Sequence, residues 1–145
     1  MQGKCQIHAS CVDRDGAGVL LLGRPGAGKS DLALRLLDHG FALVADDQVL
    51  IEDGEAAAPA ALAGLLEVRG LGLVHLPYRQ RTRLALAVAL DSAPPPRLPQ
   101  PETEAGSGLP LLRLDPFTAS APSRIALALD CALGRRTAAA GCFAP

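Results

Sequence analysis

The stretch of the sequence with the clearest chemical potential is GRPGAGKS, Gly23 to Ser30. Gly23, Gly28, Lys29 and Ser30 satisfy the spacing GxxxxGK[ST], in which glycines allow backbone N–H groups to curl around phosphate oxygens. In that geometry the lysine ammonium contacts the terminal phosphates of a nucleotide and the serine hydroxyl binds Mg²⁺. The sequence therefore predicts a nucleoside triphosphate site, and a glycine turn without a ligand is the alternative. The predicted binding residues are Gly23, Arg24, Pro25, Gly26, Ala27, Gly28, Lys29 and Ser30.

The elements around this loop are those that a phosphate-binding loop needs. Gly18 to Leu22, GVLLL, is a continuous apolar run that favours a strand buried on both faces. From Lys29 onward, leucines recur at helical spacing as far as Gly40, which suits a helix of about ten residues with a left-handed cap. Phe41 to Asp47, FALVADD, then predicts a second strand, so these elements form a βαβ unit.

Two adjacent carboxylates, Asp46 and Asp47, end the second predicted strand. Neighbouring residues of a strand point to opposite sides. One carboxylate could therefore face Mg²⁺ while the other accepts a proton from an incoming hydroxyl. A solvated strand end without function is the alternative interpretation.

The remaining segments predict further strands, a long loop and a second helix. The first predicted elements are a hairpin turning at Asp53 and Gly54, a loop at 56–63 and a strand with a glycine bend in Leu65 to Leu76. A strand in LALAVALD then follows a solvated approach at Arg79 to Arg83, and a loop extends from Ser92 to Pro110. The last predicted elements are an extended LLRLDPF segment, a helix in PSRIALALDCALG and a loose tail after Arg136.

Composition excludes several classes of protein. A chain of 145 residues with 49% apolar residues is long enough for one domain, 1–145. The net charge of −1 gives no basic field for nucleic acid or anionic lipid. Four cysteines without CxxC spacing indicate reduced structural thiols. No apolar run has signal-peptide or membrane-spanning length, so we expect a cytoplasmic protein without a membrane partner.

Four segments together resemble a known family. IHASCV, GVLLLGRPGAGKSDLAL, HGFALVADD and LLEVRGLG occur in this order, and the sequence resembles the catalytic domain of the HPr kinase/phosphorylases, in a short form without their N-terminal domain. The resemblance implies an α/β fold: a P-loop kinase core of the HPr kinase and phosphoenolpyruvate carboxykinase type, with a mixed β-sheet and few helices. It covers Ile7 to Val74 well and the remainder thinly.

The resemblance also implies an activity, cofactors and a partner. Enzymes of this family use ATP, often pyrophosphate, and Mg²⁺ to phosphorylate a serine of the phosphocarrier protein HPr. They remove that phosphate with inorganic phosphate and release pyrophosphate. The implied role is regulation of the phosphotransferase system and of carbon and nitrogen metabolism. Family members assemble into hexamers, so the resemblance allows a homo-oligomer, although the predicted C-terminal helix is short.

Several catalytic roles follow from the resemblance, residue by residue. His8 matches the family's histidine before the loop, Lys29 its loop lysine and Ser30 its metal-binding serine. Asp47 matches the residue that accepts the proton in phosphorylation and donates it in the reverse step. Asp46 would hydrogen-bond or orient its neighbours. Outside the resemblance, a lone histidine such as His8 is more often structural.

The signature segment and two later loops supply the other implied site residues. Glu67 matches a Mg²⁺ ligand, and Arg69 lies beside it. Without the resemblance both would be interpreted as exposed strand residues. The loop that carries the family's lid arginine is reduced to a proline-rich stretch, where Arg97 is the best match for a catalytic arginine, and Arg124 alone remains in the segment needed for dephosphorylation.

Two other functions remain compatible with the sequence. A kinase of a small-molecule hydroxyl would fit a P-loop domain of this size. A nucleotide-sensing module would bind ATP without transferring phosphate. With aromatic residues at 3%, the sequence identifies no ring that would stack on adenine.

Overall fold

The computed structural model describes residues 3–145. It contains ten strands and two helices within that range. The strands are β1 (Cys5–His8), β2 (Ser10–Arg14), β3 (Ala17–Leu22), β4 (Ala42–Ala45), β5 (Gln48–Glu52), β6 (Glu55–Ala57), β7 (Leu65–Val68), β8 (Gly72–His75), β9 (Thr82–Leu90) and β10 (Leu111–Leu114). The helices are α1 (Lys29–Leu37) and α2 (Ala121–Ala132), and a 3₁₀ turn covers Ala60–Leu62.

Eight of these strands form one mixed sheet. Its order is β1-β5-β6-β9-β3-β2-β4, and β10 also pairs with β9. β9 is parallel to both β3 and β10, whereas β2 is antiparallel to β3 and to β4. Strands β3, β4, β9 and β10 therefore all run in one direction and their carboxyl ends meet at one edge of the sheet. This mixed α/β architecture confirms the predicted fold class.

The predicted βαβ unit is present, with one strand inserted in it. β3, the glycine loop, α1 and β4 follow one another as predicted, and β2 lies between β3 and β4 in the sheet. The apolar run of β3 is buried on both faces because two different clusters cover it. Leu21 packs with the helices, and Leu20 packs on the opposite side.

The main hydrophobic core lies between the sheet and the two helices. α1 contributes Leu32 and Leu36, and α2 contributes Ile125 and Leu129, all fully buried. Burial of such side chains stabilises the fold by roughly 1.5–3 kcal/mol each. The core therefore holds the amino terminus of α1 in a fixed position against the sheet edge.

Other predicted elements are also confirmed. Asp53 and Gly54 both adopt positive φ, at 52° and 79°, in the turn of the β5–β6 hairpin. β7 and β8 form a separate two-stranded hairpin in the segment predicted to contain a glycine bend. The loop predicted from residue 56 begins two residues later, because Ala56 and Ala57 belong to β6.

The two longest segments without helix or strand lie late in the chain. Ser92 to Pro110 has no named element, and Glu102 near its end pairs with Arg113 of β10 through two hydrogen bonds of 3.0 and 3.1 Å. The prediction of a loose tail is wrong in part, because Phe143 packs against the main core.

The cysteine thiols agree with the expectation from their spacing. All four cysteines are free thiols. Burial, with the nearby charge of Asp13, raises the pKa of the Cys11 thiol far above its usual range, so this thiol stays protonated. No helix between residues 3 and 145 combines the length and apolarity that crossing a membrane requires.

Candidate active site

The glycine loop lies between the carboxyl end of β3 and the amino end of α1. Gly26 and Gly28 adopt φ values of 84° and 103°, which favour glycine. The Ala27 N–H donates to the Arg24 carbonyl oxygen at 3.0 Å and closes a turn within the loop. A Cβ atom on Gly23 would lie 2.9 Å from that of Ala27. Side chains are therefore disfavoured at Gly26 and Gly28 by backbone conformation and at Gly23 by close contact.

The Lys29 ammonium group lies inside this loop. Its Nζ donates hydrogen bonds to the carbonyl oxygens of Gly23 at 2.7 Å and Arg24 at 2.9 Å. An ammonium has three donors, so one remains for an anion. Burial lowers the pKa of Lys29, whereas the negative charges of Asp46 and Asp47 oppose that shift.

Asp46 is a buried carboxylate that joins the loop to the strands around it. It is 5% exposed. Its Oδ1 accepts from the Ser10 hydroxyl at 2.7 Å, and both of its oxygens accept from the Ser30 hydroxyl, at 2.8 and 2.9 Å. Its Oδ2 also accepts from the Glu67 backbone N–H at 3.2 Å. Asp46 thus fixes the Ser30 hydroxyl relative to β2 and β7.

Asp47 points away from Asp46 and toward the surface. Its φ of 72° lies in the left-handed region, and its side chain is 64% exposed. Its Oδ1 lies 2.9 Å from His8 Nε2. The register of β1 with β5 explains this contact, because His8 is paired with Gln48, the residue after Asp47. The two aspartates therefore diverge, as the sequence predicts.

The β7–β8 hairpin contributes a further carboxylate. On β7, Leu66 is fully buried while Glu67 faces outward into a cleft beside the loop. Arg69 in the hairpin turn lines the same cleft. The Leu66 side chain packs in the main core and so holds this edge of the hairpin in place.

One cleft of about 570 Å³ collects most of the predicted site residues. His8, Lys29, Ser30, Asp47 and Glu67 all line it, and Asp46 lies beneath it through its bond to Ser30. The residues that a divalent cation would contact are hard oxygen donors, which suit Mg²⁺. Among residues 3–145, no three His, Cys, Asp or Glu side chains form a metal cage.

The two predicted arginines of the later loops lie elsewhere. Arg97 is exposed in the proline-rich segment, and Arg124 is exposed in the first turn of α2. Neither lines the cleft. Their assignment as lid or dephosphorylation residues stays a prediction.

Ser10 and Phe117 are among the residues of this site that sequence reasoning missed. Ser10 is fully buried and donates to Asp46; its only signal was its position in IHASCV. Phe117 lines the cleft beside Gly28. Its signal was an aromatic residue at the end of the predicted extended segment LLRLDPF, but the direction of that segment in the sheet could not be inferred from its sequence.

Comparison with protein families identifies the kind of domain that carries this cleft. The model of the HPr serine kinase C-terminal domain matches residues 1–90, which include the glycine loop, both aspartates and Glu67. The chain belongs to this family. The match confirms the resemblance inferred from the four sequence segments.

Individual relatives of this HPr kinase domain support the assignment. An HPr kinase/phosphorylase of Aromatoleum aromaticum is 38% identical over 128 residues, which cover 76% of this chain and 41% of the relative. One from Bacillus licheniformis is 47% identical over 97 residues, covering 59% and 31%. The chain thus spans less than half the length of these relatives.

A solved structure matches the fold of this HPr kinase domain. The HPr(Ser) kinase/phosphatase of Coxiella burnetii superposes with a TM-score of 0.74 at 24% identity, covering 90% of this chain and 92% of the other. At this identity the likeness establishes the fold alone.

Proposed function

We propose that this protein is an ATP- and Mg²⁺-dependent protein-serine kinase of the cytoplasm. Its proposed acceptor is a seryl hydroxyl of an HPr-type phosphocarrier protein. The observation that carries the proposal is the position of Asp47. It is an exposed carboxylate, held by His8, in the same cleft as the phosphate loop with Lys29 and Ser30. The names of the relatives, HPr kinase/phosphorylase, supply the acceptor.

The cleft residues divide the transfer reaction between them. Asp47 accepts the proton of the seryl hydroxyl, and the seryl oxygen forms a bond to the γ-phosphorus of ATP. The bond from that phosphorus to the bridging oxygen breaks, and ADP leaves. Lys29 offers its free donor to the phosphoryl oxygens, where charge accumulates during transfer.

Ser30 and Glu67 are the residues that would hold Mg²⁺. When bound, the ion would neutralise charge on the β- and γ-phosphates. Asp46 fixes the Ser30 hydroxyl by accepting hydrogen bonds from it. The positions of the Ser30 hydroxyl and the Asp46 carboxylate are therefore set by the fold before any nucleotide binds.

The exposure of Asp47 favours a protein acceptor over a small molecule. A small substrate would call for a catalytic base enclosed in a pocket. Asp47 is 64% exposed and His8 is 37% exposed, so a loop of another protein can reach the carboxylate. A kinase of a small-molecule hydroxyl is therefore less well supported.

The reverse reaction belongs to the same proposal. Inorganic phosphate would attack the phosphoserine, Asp47 would return the proton to the seryl oxygen, and pyrophosphate would leave. Arg97 and Arg124 are the arginines proposed to assist, although they lie outside the cleft lining. A homo-oligomer would be one way to bring such a residue from a second copy to the cleft.

The proposal is tested with the purified chain, Mg²⁺, γ-labelled ATP and HPr-type carriers from the same cell. We expect label on one serine of one carrier, mapped by mass spectrometry. Addition of unlabelled phosphate to the labelled carrier should then release labelled pyrophosphate. Tight ATP binding without any labelled carrier would rule out the HPr proposal and favour a nucleotide sensor or a small-molecule kinase.

The Gly28→Ala substitution tests the phosphate loop. At a φ of 103° an alanine is strained, and its Cβ would lie 3.1 Å from the Phe117 ring. We expect a loss of stability of roughly 1–2 kcal/mol and at least a tenfold loss of ATP affinity, measured by urea unfolding and titration calorimetry.

Gly40→Ala is the matched control for this substitution. Gly40 has a φ of 85°, and no atom lies within 4 Å of its added Cβ. It should lose similar stability and keep its ATP affinity. Equal loss of ATP affinity in both variants would mean that general destabilisation, not the loop, causes the effect.

A further inference from the structure

Among residues 3–145, Phe117 is the one phenylalanine, tyrosine or tryptophan that lines the cleft. It follows β10, whose carboxyl end lies at the same sheet edge as the end of β3. Its ring atoms Cζ and Cε1 lie 3.1 and 3.2 Å from the position that a Cβ on Gly28 would take. The ring therefore packs directly on the backbone of the phosphate loop. Phe117 is nevertheless 65% exposed.

The segment that carries Phe117 is fixed to α1. The Phe117 N–H donates to the Asp115 carboxylate at 2.9 Å. Arg35 of α1 donates to the carbonyl oxygens of Pro116 and Thr118, the residues on either side of Phe117. Asp31 holds the same guanidinium at 3.0 Å. The backbone that carries the exposed ring is thus fixed beside the loop by hydrogen bonds at Phe117 and at both of its neighbours.

This position suits the part of a nucleotide that lies beyond its phosphates. When the phosphates occupy the loop, the sugar and base must leave it within a few ångströms. The lining of the cleft includes Pro25, Gly26 and Phe117, and the Phe117 ring lies against Gly28. A ring face held in place stacks on any base, because every base has a π-face.

We propose that Phe117 is the surface on which the base of the bound nucleotide stacks. This inference rests on the proposed function, since it assumes a nucleotide in the loop. Phe117 would provide the base contact that could not be identified from the sequence, in which aromatic residues are few. The inference also predicts that binding depends on Phe117 only when the ligand carries a base.

The test compares ATP with inorganic tripolyphosphate, which has the same three phosphates without sugar or base. Both affinities are measured by calorimetry for the parent chain and for Phe117→Ala. We expect the substitution to weaken ATP binding about tenfold and to change tripolyphosphate binding less than twofold. Leu127→Ala is the matched control, because Leu127 is 52% exposed on α2 and outside the cleft.

A second variant gives an independent signal. The chain contains no tryptophan, so Phe117→Trp introduces a single tryptophan that can still stack and can be excited selectively. We expect it to keep ATP affinity within a few-fold of the parent, with fluorescence quenched by ATP and unchanged by tripolyphosphate. Quenching by both ligands would indicate a general loop movement and would overturn the inference.

The outcomes separate this inference from the proposed function. A parent chain that binds neither ATP nor tripolyphosphate would remove the proposed function and the inference with it. An equal loss of affinity for ATP and for tripolyphosphate in Phe117→Ala would mean that the ring supports the conformation of the loop. Unchanged ATP affinity with a raised KM for the carrier protein would mean that the ring contacts the acceptor. Either of these last results overturns base stacking while leaving the kinase proposal intact.

Discussion

The Asp47→Asn variant should bind ATP as well as the parent and transfer phosphate 10²- to 10⁴-fold more slowly, the usual contribution of a positioned base. The substitution keeps the size of the side chain and removes its ability to accept a proton. Asparagine tolerates positive φ, so the value of 72° at this position should be retained without strain. The measurement is single-turnover transfer from γ-labelled ATP to the carrier, together with ATP affinity by calorimetry.

Asp53→Asn is the matched control for this experiment. Asp53 is also an exposed aspartate at positive φ, 52°, but it lies in the β5–β6 turn outside the cleft. It should transfer phosphate at the parent rate. An Asp47→Asn variant that is as fast as the parent would show that another group takes the proton. A slow Asp53→Asn variant would show that replacing an exposed aspartate at positive φ slows transfer even outside the cleft. The effect at Asp47 could then not be assigned to loss of the base.

Much of this site could be predicted because its residues are close together in the sequence. The loop from Gly23 to Ser30 has a fixed spacing, and the strand before it and the helix after it have clear hydrophobic patterns. The divergence of Asp46 and Asp47 was predicted from strand geometry, but both residues follow the end of β4, and Asp47 turns away with a φ of 72°. These inferences needed only local rules.

The parts that were missed depend on strand order, which local patterns do not encode. β10 lies parallel to β9, and β9 parallel to β3. That arrangement brings Phe117 to the edge where the phosphate loop lies, although the two are nearly ninety positions apart in the sequence. The hydrogen bond from Ser10 to Asp46 likewise depends on β2 lying beside β4. The insertion of β2 between β3 and β4 was not visible in the βαβ pattern.

The parallel strands also explain why the candidate functional residues lie at one edge of the sheet. The loop follows β3, the aspartates follow β4 and Phe117 follows β10. Carboxyl ends of parallel strands are the usual position of ligands in such sheets. Arg97 of the proline-rich segment and Arg124 of the first turn of α2 do not line the cleft at this edge. This arrangement makes phosphorylation better supported than the reverse reaction.

Asp46→Ala should have the second large effect, on stability as well as on transfer. The substitution removes the acceptor of four hydrogen-bond contacts, from the Ser10 and Ser30 hydroxyls and the Glu67 N–H. Ser10 is fully buried, and a buried donor without a partner costs about 1–3 kcal/mol. We expect a total loss of roughly 2–4 kcal/mol in the free energy of unfolding, measured by urea. Because Ser30 loses its fixed orientation, the Mg²⁺ concentration for half-maximal transfer should rise at least tenfold.

Asp13→Ala distinguishes loss of the site from loss of stability. Asp13 is 1% exposed and accepts from the Thr82 hydroxyl and the Gly16 N–H, away from the cleft. Its replacement should destabilise the chain by a similar amount and leave the Mg²⁺ requirement of the folded protein unchanged. Asp46→Asn, which keeps one acceptor oxygen, should lie between Asp46→Ala and the parent in both measurements. A raised Mg²⁺ requirement in Asp13→Ala, or an unchanged one in Asp46→Ala, would contradict the role of Asp46 in orienting Ser30.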